Sequence, residues 1–248
     1  MNLLRSLLWT APMIGLLTVV MASISLLATL FDSTGRLPHR IARLWARLLL
    51  RASGVRVTVT GAEQLTPGAA YVFCSNHLSL IDTPLVFGHL PWDFRILARS
   101  MLWKIPFLGW HLSRSGHMQV TFHDVWASLR SLSDAARRVA EGNSVVVFPE
   151  AGRSSDGQMG EFKAGAAYIA IKAGVPAVPM CILGTRQVHT EGSVVVRPGH
   201  VELHLGSPVS TRGLTPRHAR RLQAELKERI RELMERHAPA AIRRNQRT

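Results

Sequence analysis

The chain predicts an α/β fold, with a mixed, mostly parallel sheet covered by helices and an N-terminal pair of helices suited to a membrane. Three observations carry this. Short apolar runs of strand type alternate with longer segments of helical period. Nearly half of the 248 residues are apolar, enough for a full core. Residues 6–31 contain no charged side chain.

The N-terminal pair comes first. Residues 7–31 make about 25 positions, roughly 37 Å as a helix, enough to cross a hydrocarbon core. Pro12 lies inside the run as a point of bending, so a shallow or re-entrant insertion is the alternative to a crossing. The run is too long for a signal-peptide core, and no A-x-A site follows it. Next, Arg36, Arg40, Arg43, Arg47 and Arg51 recur at spacings of three and four, one stripe of a helix over 36–53. Leu37, Ile41, Leu44, Trp45 and Leu48 fill the adjoining face, so the helix after an apolar run reads as interfacial, its arginine heads on lipid phosphates, against the alternative of a helix packed on the core with a solvated arginine face. One arginine precedes the apolar run and five follow it, which puts the rest of the chain on the cytoplasmic side of an inner membrane.

Strands are expected at 55–60, 69–75, 94–98, 117–121, 144–148, 177–183 and 201–205. Helices are expected at 124–141, 162–173 and 215–237, the first two closed by Gly142 and Gly174. The organisation is an anchor over 1–53, a globular domain over 54–238 and a basic tail over 239–248. Charge follows it: of the net +14, the first 60 residues carry +6, the last 38 carry +7 and the middle only +1. A near-neutral middle argues against a nucleic-acid groove, while basic ends fit an anionic lipid surface. Cys74 and Cys181 each sit in an apolar run, so buried free thiols are expected, with neither a disulfide nor a metal site.

Four segments follow strands with polar residues or glycines, at 76–82, 99–110, 148–157 and 176–186, and strand ends are where α/β folds bind ligands. The first, NHLSLID, sets His77 after a strand and Asp82 five residues on. Such a carboxylate can fix the imidazole tautomer and leave the other ring nitrogen free as a base. The spacing alone decides little, because a histidine among apolar neighbours is more often a satisfied core residue. Ser79 lies between them without a G-x-S-x-G elbow and is discounted as a nucleophile. In FPEAGRSSDG, Arg153 beside Gly152 and Ser154 suits a phosphate, although Glu150 and Arg153 also fit an ordinary surface ion pair.

Taken together, NHLSLID, ARSMLWKIPFLGW, FPEAGRS and VPAVPMCILGT resemble, in order, the four motif blocks of the glycerophospholipid acyltransferase family, over roughly residues 55–210. The resemblance implies direct transfer of an acyl chain from a thioester, on acyl-carrier protein or coenzyme A, to the sn-2 hydroxyl of 1-acyl-sn-glycerol-3-phosphate, giving phosphatidic acid. It implies His77 as base and Asp82 as its orienting carboxylate. Lys104 and Arg153, with Gly152 and Ser154, are then expected at the acceptor phosphate, and Glu150 as the residue that positions the Arg153 loop. The partners implied are the acyl donor, a lysophospholipid and membrane lipids, with no nucleic acid, cofactor or metal. Two departures leave the head group open. Ala151 and Gly152 stand where the family carries Gly-Thr, and Arg99, Ser100 and Met101 stand where it carries a basic pair and an acid. A lyso-ornithine lipid is thus an alternative acceptor, and a membrane-anchored lipid hydrolase is the alternative from another class.

Overall fold

The computed structural model describes residues 2–32, 34–121, 125–150, 152–153 and 157–238. Its centre is a seven-stranded sheet: β1 Val55–Thr60, β2 Val72–Ser75, β3 Phe94–Arg99, β4 Met118–Val120, β5 Ser144–Val147, β6 Ala177–Leu183 and β7 Gly199–Leu205. Their order is β1-β7-β6-β2-β5-β3-β4. Every neighbouring pair is parallel except β6 with β7, so β1 and β7 run against the other five. The mixed, mostly parallel sheet is the one expected. The central strands VFCS, SVVV and AVPMCIL are buried throughout because helices cover both faces. Alternation then sorts each strand: Val72, Cys74, Val145 and Val147 face one core, and Phe73, Val146, Met180 and Ile182 face the other. Both cysteines are buried and free.

The helices are α1 Asn2–Arg5, α2 Ala11–Ala28, α3 Arg36–Ala52, α4 Asp82–His89, α5 Leu108–Arg114, α6 Val125–Ala140, α7 Gly165–Ala173, α8 Thr185–Val188 and α9 Ala219–His237. The first core is covered by α6, α7 and α9, the second by α3 and α4. The chain 3–28 is long and apolar enough to cross a membrane. A π-helical turn, Ser6–Thr10, joins α1 to α2 immediately before Pro12, which cannot donate to the helix and crowds the carbonyl four residues back.

This apolar helix is fastened to the domain along its length. Arg5 Nη2 donates to Ser53 O at 2.7 Å, and Ser6 Oγ exchanges hydrogen bonds with the backbone of Val196. Midway, Trp45 Nε1 donates to Thr18 Oγ1 at 3.2 Å; near the far end, Ser25 Oγ lies 2.8 Å from His111 Nδ1. The second helix of the pair goes further, since Ala42, Ala46 and Leu50 of α3 belong to the core.

The arginine stripe of α3 differs from expectation in its centre. Arg43 Nη2 donates to Leu90 O at 2.9 Å and Trp92 O at 2.6 Å, and Arg47 Nε donates to Gly88 O at 2.8 Å. The carbonyls at the end of α4 have no helical partners, and these two guanidinium groups satisfy them in place of lipid phosphates. Leu37 and Leu44 of the same helix remain exposed. Ser154 and the tail 239–248 lie outside the described residues.

Candidate active site

Strand β2 ends at Ser75, and the next side chain extends the sheet where the backbone leaves it. Asn76 Nδ2 donates to Ile182 O at 2.9 Å and its Oδ1 accepts from Ile182 N at 2.8 Å, a substitute for the missing strand pair. His77 therefore emerges from a fixed point.

Asp82 is the first residue of α4 and turns its carboxylate back over the loop. Its Oδ2 accepts from His77 Nδ1 at 2.9 Å, Leu78 N at 2.6 Å and Ser79 N at 2.8 Å. The residue is 0 % exposed, so these donors are what let a carboxylate reside there. Because Nδ1–H points at Asp82, the lone pair of His77 lies on Nε2. The His77 side chain is 16 % exposed and its ring stacks on Phe148, centroids 4.2 Å apart and planes at 22°.

Glu150 follows β5, the neighbour of β2, and bridges two loops. Oε1 accepts from His77 N and Oε2 from Gly160 N, both at 2.8 Å. Burial pushes its carboxyl pKa up, opposed by the Gly160 and His77 N–H groups. The partner of Arg153 is instead Glu191, whose Oε1 accepts from Nη2 at 2.7 Å; that hydrogen bond holds the Glu191 carboxyl below its usual range.

Ser79 is not placed to attack anything. It is buried, and its hydroxyl donates to His189 O at 2.7 Å.

His77 opens on a cavity of about 1080 Å³. One flank is formed by α2 and α3, through residues such as Met21, Ala22 and Trp45; the other by α6 and α7, through Leu132 and Tyr168. Arg153 and Gly152 line it, as do Arg99 at the end of β3 and Lys163 before α7. An ideal Cβ on Gly152 would lie 3.5 Å from Arg99 Nη2, so the guanidinium sits directly over this glycine. Lys104 is the exception among the described residues expected at the acceptor phosphate. It is exposed at the end of the turn Ser100–Lys104 and does not line the cavity. Sequence reasoning did not assign Arg99 or Lys163 to the site. The signal for Arg99 was its strand-end position; Lys163 offered only its rarity, one of four lysines.

A His–Asp pair at the strand ends of an α/β sheet, facing a cavity with cations on its wall, is an arrangement for general-base activation of a bound hydroxyl. Residues 56–183 match the family model described as Acyltransferase, and the chain belongs to that family. It is similar to a 1-acyl-sn-glycerol-3-phosphate acyltransferase of Chlamydomonas reinhardtii, 35% identical over 190 residues, which cover 75% of this chain and 57% of that protein. A protein of the same name in Borreliella burgdorferi is 24% identical over 196 residues, 79% of this chain and 78% of its own. The crystal structure of a 1-acyl-sn-glycerophosphate acyltransferase from Thermotoga maritima superposes with a TM-score of 0.79 at 25% identity, covering 96% of this chain and 99% of that one. The chain spans about half the length of the algal and plant relatives it matches.

Proposed function

We propose that the protein transfers an acyl chain from a thioester to the sn-2 hydroxyl of 1-acyl-sn-glycerol-3-phosphate, making phosphatidic acid at a membrane surface. The observation that carries this is His77, with Nε2 free, at the wall of a largely apolar cavity that also presents Arg99, Arg153 and Lys163. A cavity of that character takes hydrocarbon, and its cations take the acceptor phosphate. Lys104, outside the lining, is left out of this set.

In the reaction, Nε2 accepts the hydroxyl proton as the oxygen attacks the thioester carbonyl. Asp82 holds the imidazolium that forms. Collapse of the tetrahedral intermediate breaks the C–S bond, and the thiolate leaves as a thiol by taking the proton back from Nε2. Glu150 fixes the His77 backbone against the loop that ends at Gly160, so it acts through position. A hydrolase using Ser79 is disfavoured by that hydroxyl's bond to His189 O.

The same reading places the protein on the cytoplasmic face of a membrane, where acyl thioesters are found. A helix fastened to one domain at Arg5, Ser6, Thr18 and Ser25 fits a position along the lipid surface better than a crossing. The deciding assay gives purified protein a labelled acyl thioester, on carrier protein or on coenzyme A, with a panel of lysolipids. Phosphatidic acid is the expected product. Turnover confined to acceptors without phosphate would overturn the roles of Arg99, Arg153 and Lys163, and release of free fatty acid without an acceptor would overturn the transfer itself.

A further inference from the structure

We propose that the segment 101–110 is a second lipid-contact element, belonging to the globular domain and separate from the N-terminal helices, that seats the cavity opening in the headgroup boundary of an anionic bilayer. Within ten residues it exposes Met101 at 61 %, Ile105 at 47 %, Phe107 at 44 %, Leu108 at 37 % and Trp110 at 55 %. Single exposed apolar side chains are ordinary, but five in one short segment are not.

The backbone is shaped for this display. Phe107 has φ 61° and ψ −52°, and Leu108 N donates to Pro106 O at 2.7 Å, which together make a tight γ-turn of the strained hand. Gly109 closes it from within, since a Cβ there would fall 2.1 Å from Trp103 O.

Continuity and charge name the occupant. His111, next to Trp110, holds Ser25 of α2, and just past Ser25 the side chains of Leu27, Leu30 and Phe31 are exposed at 61 %, 66 % and 87 %. The apolar surface of the segment thus adjoins that of the helix read as lipid-facing. Lys104 within the segment and Arg114 just beyond it are exposed, where they meet lipid phosphates while Trp110 takes the interfacial depth that indoles prefer. Leu102, Ile105 and Phe107 also line the cavity, so an acceptor in the bilayer reaches His77 without its hydrocarbon crossing water.

The inference rests on membrane contact by α2, and the test separates the two. Cys74 and Cys181 are buried, so a thiol-reactive, environment-sensitive fluorophore will mark only an introduced cysteine. Full-length F107C, W110C, V20C and S207C are labelled and mixed with vesicles of phosphatidylglycerol and phosphatidylethanolamine. Val20 is exposed on α2; Ser207 follows Gly206, whose N–H bonds Pro179 O at the pole of the sheet away from the site. Labels at 107, 110 and 20 should shift to shorter wavelength and be quenched by nitroxide-bearing lipid, while the label at 207 stays open to aqueous iodide. If position 20 enters lipid and both 107 and 110 remain in water, the proposal is overturned and the anchor reading stands. If 20 stays in water as well, both fall. A shift at 107 or 110 that appears without vesicles and grows with protein concentration would assign the surface to a second copy of the chain, and also overturns it. None of these readouts depends on acyl transfer.

Discussion

Asp82 is fully buried and gathers three N–H donors on one oxygen, while among the described residues its Oδ1 has no hydrogen-bond partner. That arrangement makes the carboxylate responsible both for the loop and for the tautomer of His77. Substituting D82A leaves the Leu78 and Ser79 N–H groups unpaired and should cost about 1–3 kcal/mol in denaturant unfolding, together with activity. By contrast, H77A should lower kcat/KM by about 10²–10⁴-fold with little loss of stability, because the ring is at the cavity wall. The S79A variant discriminates chemistry: it should keep near-normal turnover and lose about 1 kcal/mol of stability from the bond to His189 O. Near-complete loss of turnover in a folded S79A protein would restore a serine mechanism. The pair's candidacy was legible in the sequence from the four motif blocks together, since its five-residue spacing alone decides little. Arg99 and Lys163 were not, since they come to the wall of one cavity only after β3 and the loop before α7 have been brought to one end of the sheet.

Among the elements, α3 shows how a correct period can carry a wrong partner. The spacing of its arginines gives the helix and the stripe, yet what the stripe faces depends on where α4 ends. Arg43 donates to the carbonyls of Leu90 and Trp92, so R43A should reduce the free energy of unfolding by about 1.5–3 kcal/mol, the range for hydrogen bonds made by a charged donor. Its binding to anionic vesicles should be near that of the unchanged protein; a large fall in vesicle binding without destabilisation would return Arg43 to the lipid face. The strands were readable from apolar runs and their direction from intervening helices. The antiparallel β6–β7 pair needed knowledge of register, and α5, seven residues after a γ-turn, is too short to show a period.

For the molecule as a whole, three histidines lie between the N-terminal helices and the sheet, His39 and His117 buried and His111 partly so. Burial depresses His39 and His111 to about 4, and drives His117 well below its ordinary value with help from the neighbouring His111 charge. An unfolded histidine titrates near 6.5. Between pH 6.5 and 4 the unfolded chain therefore binds protons that the folded one refuses, and stability should fall as the pH drops through that window while staying level above it. His39 alone accounts for at most about 3 kcal/mol of that loss. Glu150 works in the opposite direction, since its raised pKa favours the folded state once it protonates. Urea unfolding across pH 4–7 checks the slope, and H39F, which keeps an aromatic ring against Phe94 without a titrating group, should flatten it.

On the proposed reading, in which the first helix lies along a lipid surface, its fastening at Arg5, Ser6, Thr18 and Ser25 has a consequence for the kind of membrane that suits it. A crossing helix is matched to the thickness of its bilayer and pays for each ångström of misfit. A helix laid along the domain takes its length from the width of the protein it adheres to. Bilayer thickness then drops out of the fit, and the relevant lipid variables become surface charge and headgroup packing.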